Sequence, residues 1–294
     1  MVEIKKIRRK DKEYFYLVHS YREGKKVRKK QMYLGNSVPK KIEEKKKQFM
    51  EEFYREKFLA DIDKVKNNFN KEYQLLPESA KEKSKDIFAI KFTYNTQKIE
   101  GSTLTLKETA NLLENSIMPG DKPFRDAKEA ESHRKVFFDM LNYEKNMNMQ
   151  IILKWHKELM QYTGLDIAGK IRNHGVAIAQ SKFTPPLYIE LDVLLKEFFD
   201  WYNKEKKNLH PVELAALVHL KFVTIHPFSD GNGRISRLMM NFVLRDNKFP
   251  LLDIPYIKRV SYYNALERSN LKNDDNIFIQ WFFRRYLDEY KKYL

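Results

Sequence analysis

Residues 226–237 have the sequence HPFSDGNGRISR. This short segment brings together several residue types that are used in catalysis and in anion binding. It supplies one imidazole, one carboxylate, a Gly-Asn-Gly run and two arginines. Glycine adopts positive φ angles readily, so Gly231, Asn232 and Gly233 can turn successive backbone N–H groups toward one point. An imidazole with a pKa of about 6.5 is mostly neutral at cellular pH and can act as a general base. The segment therefore predicts an anion site beside a base.

The flanking sequence predicts how these residues are positioned. Apolar runs at 214–225 and 238–244 favour two helices, so the segment should be a loop that leads into a helix N-terminus. Such an end binds anions through free N–H groups and the helix dipole. Arg234 and Arg237 stand three residues apart on one helix face, where both guanidiniums can reach the outer phosphates of a nucleotide.

As a whole, residues 226–237 resemble the signature of the Fic-domain family, His-x-Phe-x-Asp/Glu-Gly-Asn-Gly-Arg-x-x-Arg, at every specified position. The family transfers AMP from ATP to a hydroxyl of a target protein. The resemblance implies that His226 is the general base toward a Ser, Thr or Tyr hydroxyl, and that Asp230 holds a Mg²⁺ on the α- and β-phosphates. It implies ATP contacts at Phe228, Gly231, Asn232, Gly233, Arg234 and Arg237.

Residues 96–101, TQKIEG, resemble the inhibitory-helix motif of the same family, Ser/Thr-x-x-x-Glu-Gly/Asn. The motif lies before the catalytic core, as in the self-inhibited class with an N-terminal inhibitory helix. The resemblance implies that Glu100 pairs with Arg237 and repels the γ-phosphate, with Thr96 and Gly101 completing the motif. An ordinary helix end with Gly101 after the last turn explains the same residues, and both interpretations can hold together.

Two further segments resemble parts of the family. Residues 168–187 resemble its flap, a small hairpin that docks the target segment as an added strand, here through Val176, Ala177, Ile178 and Ala179. Residues 262–270 resemble the region around adenine and ribose, which implies ATP contacts at Tyr262, Tyr263 and Asn270. Seen alone, paired tyrosines on a helix are more typical of packing.

Composition favours a globular, cytoplasmic enzyme of 294 residues, 42% of them hydrophobic. No apolar run approaches the roughly 18 residues of a membrane span, and the sequence MVEIKK at the start lacks the apolar segment of a signal peptide. The absence of cysteine excludes disulfides and thiolate catalysis within the chain. His156 and His219 lie in apolar helical runs and are interpreted as packed core residues.

The predicted fold class is mainly all-α: a Fic helical core with a short β-hairpin flap, preceded by a small antiparallel β module. Strands are predicted at 13–21 and 27–34 with a turn at 22–25, then a long helix between Pro39 and Pro77. Helices are predicted at 80–100, 106–116, 124–146, 149–163, 189–206, 211–222, 235–246, 260–270 and 276–293. The predicted domains are 1–37, a basic β module; 38–90, a helical linker; and 91–294, the Fic domain, with the inhibitory helix near 86–101.

Charge is concentrated at the start of the chain. Residues 1–50 hold 17 Lys and Arg against 6 Asp and Glu, which places +11 of the net charge of +16 there. Basic strands interleaved with tyrosines can bind nucleic acid. A solvated lysine-rich surface around a small aromatic core, or a dock for an acidic protein, also explains the composition and is the preferred interpretation of the sequence.

Two classes of function stay open at this point. The first is a self-inhibited, Mg²⁺-dependent protein adenylyltransferase with ATP as co-substrate, which also modifies itself. Within that class, removal of AMP from a modified protein and transfer of UMP or phosphocholine are alternatives. The second is a nucleotide-sensing adaptor that binds nucleic acid through residues 1–50. A base and a carboxylate beside an anion site favour the enzyme, and the sequence leaves a homo-oligomer open.

Overall fold

The structure is a computed structural model that describes residues 2–9, 12–23, 26–178 and 181–294. It divides the chain into two compact units, residues 1–61 and 62–294. The helix α1 (Ile42–Gln74) begins in the first unit and ends in the second. Among the described residues, no helix is both long enough and apolar enough to cross a membrane.

The first unit contains a three-stranded antiparallel sheet and the start of α1. Its strands are β1 (Val2–Arg9), β2 (Lys12–Glu23) and β3 (Lys26–Gly35), in that spatial order. Leu17 in the central strand pairs with Ile4 on one side and Met32 on the other, and it is fully buried. The ring of Phe53 on α1 packs on His19 and Tyr21 of β2. One face of the sheet is therefore closed by the helix.

The second unit is helical. Its helices are α2 (Glu78–Ile99), α3 (Leu106–Asn115), α4 (Phe124–Leu141), α5 (Met149–Met160), α6 (Leu191–Glu205), α7 (Pro211–Ile225), α8 (Asn232–Asp246), α9 (Arg259–Lys272) and α10 (Asp275–Glu289).

Helices α7 and α8 form the centre of this unit. Most residues of both are buried, which explains why residues 214–225 are predominantly apolar. Helix α8 is unusual because several of its buried side chains are polar: Arg234, Ser236, Arg237 and Asn241. A helix buried on all sides tolerates such groups only where partners satisfy them. The loop between α7 and α8 is the predicted catalytic segment.

The mainly helical class with an N-terminal antiparallel module is confirmed, but three local predictions were wrong. Strand β1 was missed, because six of its eight residues are exposed and four are basic, so it shows no apolar alternation. Helix α4 ends at Leu141 rather than at residue 146. Arg245 donates to the carbonyl oxygens of Met140 and Tyr143, at 3.1 and 2.5 Å, and takes up the carbonyls at this helix end.

The third correction concerns the predicted flap hairpin. Residues 168–178 and 181–187, the described parts of this segment, form an irregular chain without paired strands. Its β-prone run at 176–178 has no partner strand there, and an isolated strand gains no ladder hydrogen bonds. Ala179, and the turn residues 24 and 25, lie outside the described residues.

Candidate active site

The loop between α7 and α8 is held by its own backbone and by two buried rings. His226 ends α7 in the left-handed region, with φ of 52°, and Gly231 precedes α8 with φ of 82°. The amide of Asn232 spans the loop: its Oδ1 accepts from the N–H of Phe228 at 2.9 Å and its Nδ2 donates to the Phe228 carbonyl at 2.7 Å. The ring of Phe228 is fully buried and stacks on His156, with centroids 3.8 Å apart.

These contacts give the side chains of two predicted ATP-contact residues a structural role. The side chains of Phe228 and Asn232 are buried and hold the loop in its conformation. The contact predicted for Asn232 is through its backbone, which these side-chain bonds leave in place. Asn232 keeps its backbone N–H at the first turn of α8, where helix geometry leaves it without an intrahelical partner.

His226 is oriented so that one ring nitrogen can accept a proton. Its Nδ1 lies 3.1 Å from the carbonyl oxygen of Val223. A carbonyl only accepts, so Nδ1 carries the hydrogen and the lone pair is on Nε2. Burial lowers the pKa of His226, the hydrogen bond to Val223 raises it, and the nearby charge of Arg172 lowers it further. The net direction is downward, which keeps the imidazole neutral at physiological pH.

Glu100 lies at the N-terminus of α8. It is the residue that ends α2, and its carboxylate pairs with the guanidinium of Arg237. A methyl group added at Gly233 would lie 2.6 Å from Oε1 of Glu100 and 3.1 Å from Nη1 of Arg237. Only a glycine leaves room for both groups at this helix end. The predicted inhibitory carboxylate thus occupies the anion site predicted from the loop.

Arg237 is held by groups on three helices. Its side chain is 1% exposed, and besides Glu100 it donates from Nη1 to the Tyr262 hydroxyl at 3.3 Å. That hydroxyl lies 2.9 Å from Nε2 of His219. Burial lowers the pKa of Arg237, but the charge and hydrogen bond of Glu100 together with Tyr262 and Tyr263 outweigh this, and the net direction is upward. Arg237 is a permanently charged group in a buried pocket that requires an anion.

Arg234 and Asp230 form a second ion pair that extends to α4. Nη2 of Arg234 lies 2.7 Å from Oδ2 of Asp230, and Nη1 lies 3.2 Å from Oε2 of Glu129, which also pairs with Arg125. Burial raises the pKa of Asp230, but Arg234 and the N–H of Gly231 lower it more, so the carboxylate is ionised. Its side chain is 42% exposed, which leaves an open side for a ligand.

The other two residues of the predicted inhibitory motif belong to the end of α2. Gly101 has φ of 102°, and the N–H groups of Gly101 and Ser102 bond back to the carbonyls of Lys98 and Gln97 at 3.2 and 3.0 Å. Thr96 is buried, 1% exposed, and its hydroxyl has no hydrogen-bond partner among the described residues. The segment is an ordinary helix end that also presents Glu100 to Arg237.

Of the three residues predicted to contact adenine and ribose, Tyr262 is buried, whereas Tyr263 and Asn270 reach the surface. Tyr262 is 1% exposed and bonded to Arg237 and His219, so it supports the arginine and is not free to contact a nucleotide. Tyr263 is 46% exposed, and its hydroxyl donates to the carbonyl of Ile99 at 3.3 Å. Asn270 accepts from the Thr224 hydroxyl at 2.8 Å and lines a surface cavity of about 430 Å³.

Three residues that the motif does not contain also build the site. His156 and His219 are buried, as predicted. His156 also holds the loop in place, because its Nε2 lies 3.0 Å from the Asp230 carbonyl oxygen and its Nδ1 accepts from the N–H of Gly169 at 2.9 Å. Glu129 lies on α4, about a hundred residues from its partner Arg234. These pairings join residues distant in sequence, so no local pattern signals them.

Arg172 is the third missed residue. It is 4% exposed and satisfies its guanidinium with three carbonyl oxygens: those of His226 at 2.8 Å, His174 at 2.9 Å and Pro186 at 2.7 Å. Its own N–H donates to the Pro227 carbonyl at 3.0 Å. One side chain therefore ties the backbone of the loop to both ends of residues 174–186. Of the predicted docking residues in that segment, Val176 and Ile178 are half-buried and Ala177 is exposed.

Part of this chain is similar to known proteins. The family model described as Fic/DOC family matches residues 146–244, which include the loop, Arg172 and residues 174–186. Over this stretch the chain is similar to a Fic domain. Relatives are similar over a longer stretch: Protein adenylyltransferase fic-1 of Caenorhabditis elegans is 34% identical over 188 residues, and Protein adenylyltransferase Fic of Nematostella vectensis is 32% identical over 182 residues.

The alignments cover 61% and 60% of this chain, but the chain spans only 36% and 42% of those two relatives. Among solved structures, a Fic domain containing signaling protein from Bacteroides thetaiotaomicron has a TM-score of 0.71 at 27% identity, with 79% of this chain and 95% of that chain covered. Fic-1 from C. elegans has a TM-score of 0.70 at 26% identity, covering 81% and 71%. The Fic fold thus extends beyond the segment that the family model matches.

Proposed function

We propose that this chain is a self-inhibited protein adenylyltransferase, which moves AMP from ATP to a Ser, Thr or Tyr hydroxyl of a target protein and of itself. The observation that carries the proposal is the Glu100 carboxylate against Gly233 and Arg237, at the N-terminus of α8. That position has free backbone N–H groups, a helix dipole and a buried cation, which together fit a phosphate. The names of the two relatives support the same activity.

The reaction uses the groups around the loop. Nε2 of His226 takes the proton of the target hydroxyl, and the oxygen of that hydroxyl bonds to the α-phosphorus of ATP. The bond from that phosphorus to the bridging oxygen of the β-phosphate breaks, and pyrophosphate leaves with the electron pair. The N–H groups of Asn232 and Gly233, with Arg234 and Arg237, stabilise charge on the phosphates. His226 then returns its proton to solvent.

Asp230 fits a magnesium ion. Mg²⁺ in nucleotide enzymes is held by one or two carboxylates together with phosphate oxygens and water, so one protein ligand suffices. Among the described residues there is no cluster of three or more ligating side chains, and Asp230 supplies one ionised, half-exposed carboxylate beside the phosphate site. The ion, when bound, would neutralise charge on the α- and β-phosphates. Arg234 keeps Asp230 in the ionised form that this requires.

Self-inhibition follows from the charge at Glu100. Its carboxylate takes up the guanidinium that would hold the γ-phosphate and places a negative charge at the N-terminus of α8. ATP then binds with its triphosphate displaced, or requires Glu100 to leave. Because Glu100 ends α2 and its side chain is 25% exposed, a small movement of that helix end suffices to free Arg237.

Target docking is proposed at residues 176–178. They form an irregular chain whose backbone is not in a ladder, although the Ile178 carbonyl accepts from the N–H of Ser181 at 3.2 Å. Such a chain can pair with an added strand. Arg172 bonds to the carbonyls of His174 and His226, so it links the start of this segment to the backbone of the proposed base. Main-chain docking carries little side-chain selectivity, which is compatible with self-modification.

Label position tests the proposal directly. Purified protein and its Glu100→Gly form are incubated with Mg²⁺ and ATP labelled at the α- or the γ-phosphate, then separated from free nucleotide. AMP transfer puts α-label on protein and no γ-label, whereas phosphorylation would do the reverse. Parallel reactions with CTP, GTP and UTP give the nucleotide preference. Release of AMP from a pre-modified target, without transfer from ATP, would replace the proposal with the removal reaction.

A further inference from the structure

The sheet of the first unit has two faces of different character. Side chains alternate along a strand, and residues paired in register share a face. The face that carries Leu17, His19 and Tyr21 is covered by α1, where Phe53 packs on both rings. The opposite face carries Lys5 and Arg9 from β1, Lys12, Tyr14, Tyr16 and Arg22 from β2, and Lys29 and Tyr33 from β3. We call these eight residues the open face.

Both faces of the sheet carry basic side chains. On the covered face, Lys6 pairs with Glu13 at 2.7 Å and Lys30 pairs with Glu56 of α1 at 2.5 Å, whereas Arg8 and Lys26 are exposed. On the open face, all five Lys and Arg side chains are exposed, and within the described parts of the chain none of them forms an ion pair. Glu3 is the single acidic residue that the register places there. The open face therefore presents five cations against one carboxylate, which makes a positive field.

Three tyrosines lie within this field. The ring of Tyr33 is 5.2 Å from that of Tyr16 and 6.2 Å from that of Tyr14. Tyr33 is 52% exposed, and its hydroxyl donates to Asn36 at 3.0 Å, which holds the ring in place. An aromatic ring held half exposed beside cations can stack on a base while the cations contact phosphates.

We propose that the open face binds single-stranded nucleic acid, a partner outside the adenylyltransferase reaction. Its phosphates would lie against Lys5, Arg9, Lys12, Arg22 and Lys29, and an unpaired base would stack on Tyr33. A basic surface around an aromatic platform is the general design of single-strand binding sites. A duplex would use the cations but offers no base face to the ring, and the carboxylates of an acidic peptide would use the cations without stacking on the ring.

The test is fluorescence anisotropy of a fluorescein-labelled fifteen-nucleotide oligo-dT titrated with the full chain. Each phosphate contact contributes a slope of about −0.7 in log affinity against log salt for a single strand, so five contacts give about −3.5. A duplex of the same length should bind more weakly at the same salt. Duplex binding equal to or stronger than oligo-dT binding, or no binding at low salt, overturns the proposal.

Two matched pairs of variants locate the site. Lys5→Glu with Lys29→Glu reverses two open-face charges, and should weaken oligo-dT binding about tenfold or more and flatten the salt slope by about 1.4. Arg8→Glu with Lys26→Glu makes the same change of charge on the same two strands, but at exposed positions on the covered face. If both double variants lose the same amount of oligo-dT affinity, net charge alone attracts the probe and the open face is not the binding site.

Tyr33 tests the stacking step. Tyr33→Ala should weaken binding about five- to a hundredfold, the usual effect of removing a base-stacking ring, whereas Tyr33→Phe keeps the ring and should bind nearly as well. Both variants lose the hydrogen bond to Asn36, so a shared loss of stability cancels between them. Equal affinity of the Ala and Phe forms overturns the stacking assignment, and unchanged label transfer from ATP in both shows that the second unit is intact.

Discussion

Glu100 and Arg237 form an ion pair that joins the end of α2 to α8 across 137 positions of the chain. The arginine is almost completely buried, and its remaining contact is the Tyr262 hydroxyl. A buried guanidinium without an anion is costly, so the pocket always favours either a carboxylate or a phosphate at this place. We therefore predict that Glu100 and a nucleotide phosphate compete for this cation in the proposed enzyme, and that this competition regulates it.

Glu100→Gly should raise AMP transfer about ten- to a hundredfold, most visibly as self-modification. The change frees Arg237 and removes a negative charge from the phosphate site, and a charge-assisted contact of this kind is worth about 1.5–3 kcal/mol. The measurement is the initial rate of α-label incorporation. Because the variant leaves Arg237 without an anion, ATP should also raise its melting temperature more than that of the wild type.

Arg237→Ala supplies the control for that result. If Glu100 acts through Arg237, the Glu100→Gly protein should lose its gain when Arg237 is also removed, since nothing then holds the γ-phosphate. Glu100→Gln keeps the shape of the side chain without its charge and should be intermediate. Equal rates for wild type and Glu100→Gly would refute self-inhibition by this residue.

His226→Ala should abolish label transfer while nucleotide binding is kept. Removal of a general base commonly costs about 10²–10⁴ in rate. The active Glu100→Gly background gives the clearest signal, with nucleotide binding followed by calorimetry. Transfer at an unchanged rate would remove His226 from the mechanism.

Arg172 should shift the acid side of the pH profile. Burial is the main cause that lowers the pKa of His226, and the charge of Arg172, which also holds the loop backbone, lowers it further. A general base works when unprotonated, so the rate falls as pH drops through its pKa. Arg172→Met removes the charge, so the pKa should rise and the fall in rate should begin at higher pH. Arg172→Lys keeps the charge but loses the three-carbonyl geometry, so its profile should stay near that of the wild type while the rate drops.

The measurement is the rate of label transfer from pH 5 to 8 for the three forms in the Glu100→Gly background. A merely structural role of Arg172 predicts lower rates with the same pH profile in both variants. A profile for Arg172→Met that coincides with that of the parent would contradict the electrostatic role.

The chemistry of the site was predictable where it is local. Gly231, Asn232 and Gly233 with two following arginines indicate a phosphate cradle at a helix start, and the structure has α8 beginning at Asn232. The sequence could not tell which motif residues face a ligand. Phe228 and Tyr262 were predicted as nucleotide contacts, yet both are buried, because each is held by a residue far along the chain, His156 and His219 respectively.

The fold was predictable to the same extent. Apolar periodicity indicated the helices of the second unit, including the central pair α7 and α8. Strand β1 was missed because its cations are exposed. The end of α4 was predicted too late in the chain, because the residue that takes up its last carbonyls, Arg245, lies 105 residues away. Partners distant in sequence decide such details, and one sequence does not reveal them.

His156 should make the protein sensitive to acid. Burial lowers its pKa to about 4 and the charge of Arg234 lowers it further, although the hydrogen bond from Nε2 to the Asp230 carbonyl raises it. A folded-state pKa below the unfolded value of about 6.5 means that this contribution is complete above pH 6.5 and is lost as pH falls toward 4. From pH 7.5 to 5 the free energy of unfolding should drop by about 2 kcal/mol on account of this residue.

Urea unfolding at pH 7.5, 6 and 5 measures this, with His156→Gln as the matched variant that cannot titrate. Other buried groups also titrate in this range. His133 is lowered to a pKa of about 3 and acts in the same direction, whereas burial raises the pKa of Asp253 to about 6, which favours the folded state as pH falls. Both are present in wild type and variant, so the difference between the two proteins isolates His156. The wild type should lose more stability than His156→Gln, and parallel pH dependences would show that His156 does not couple folding to protonation.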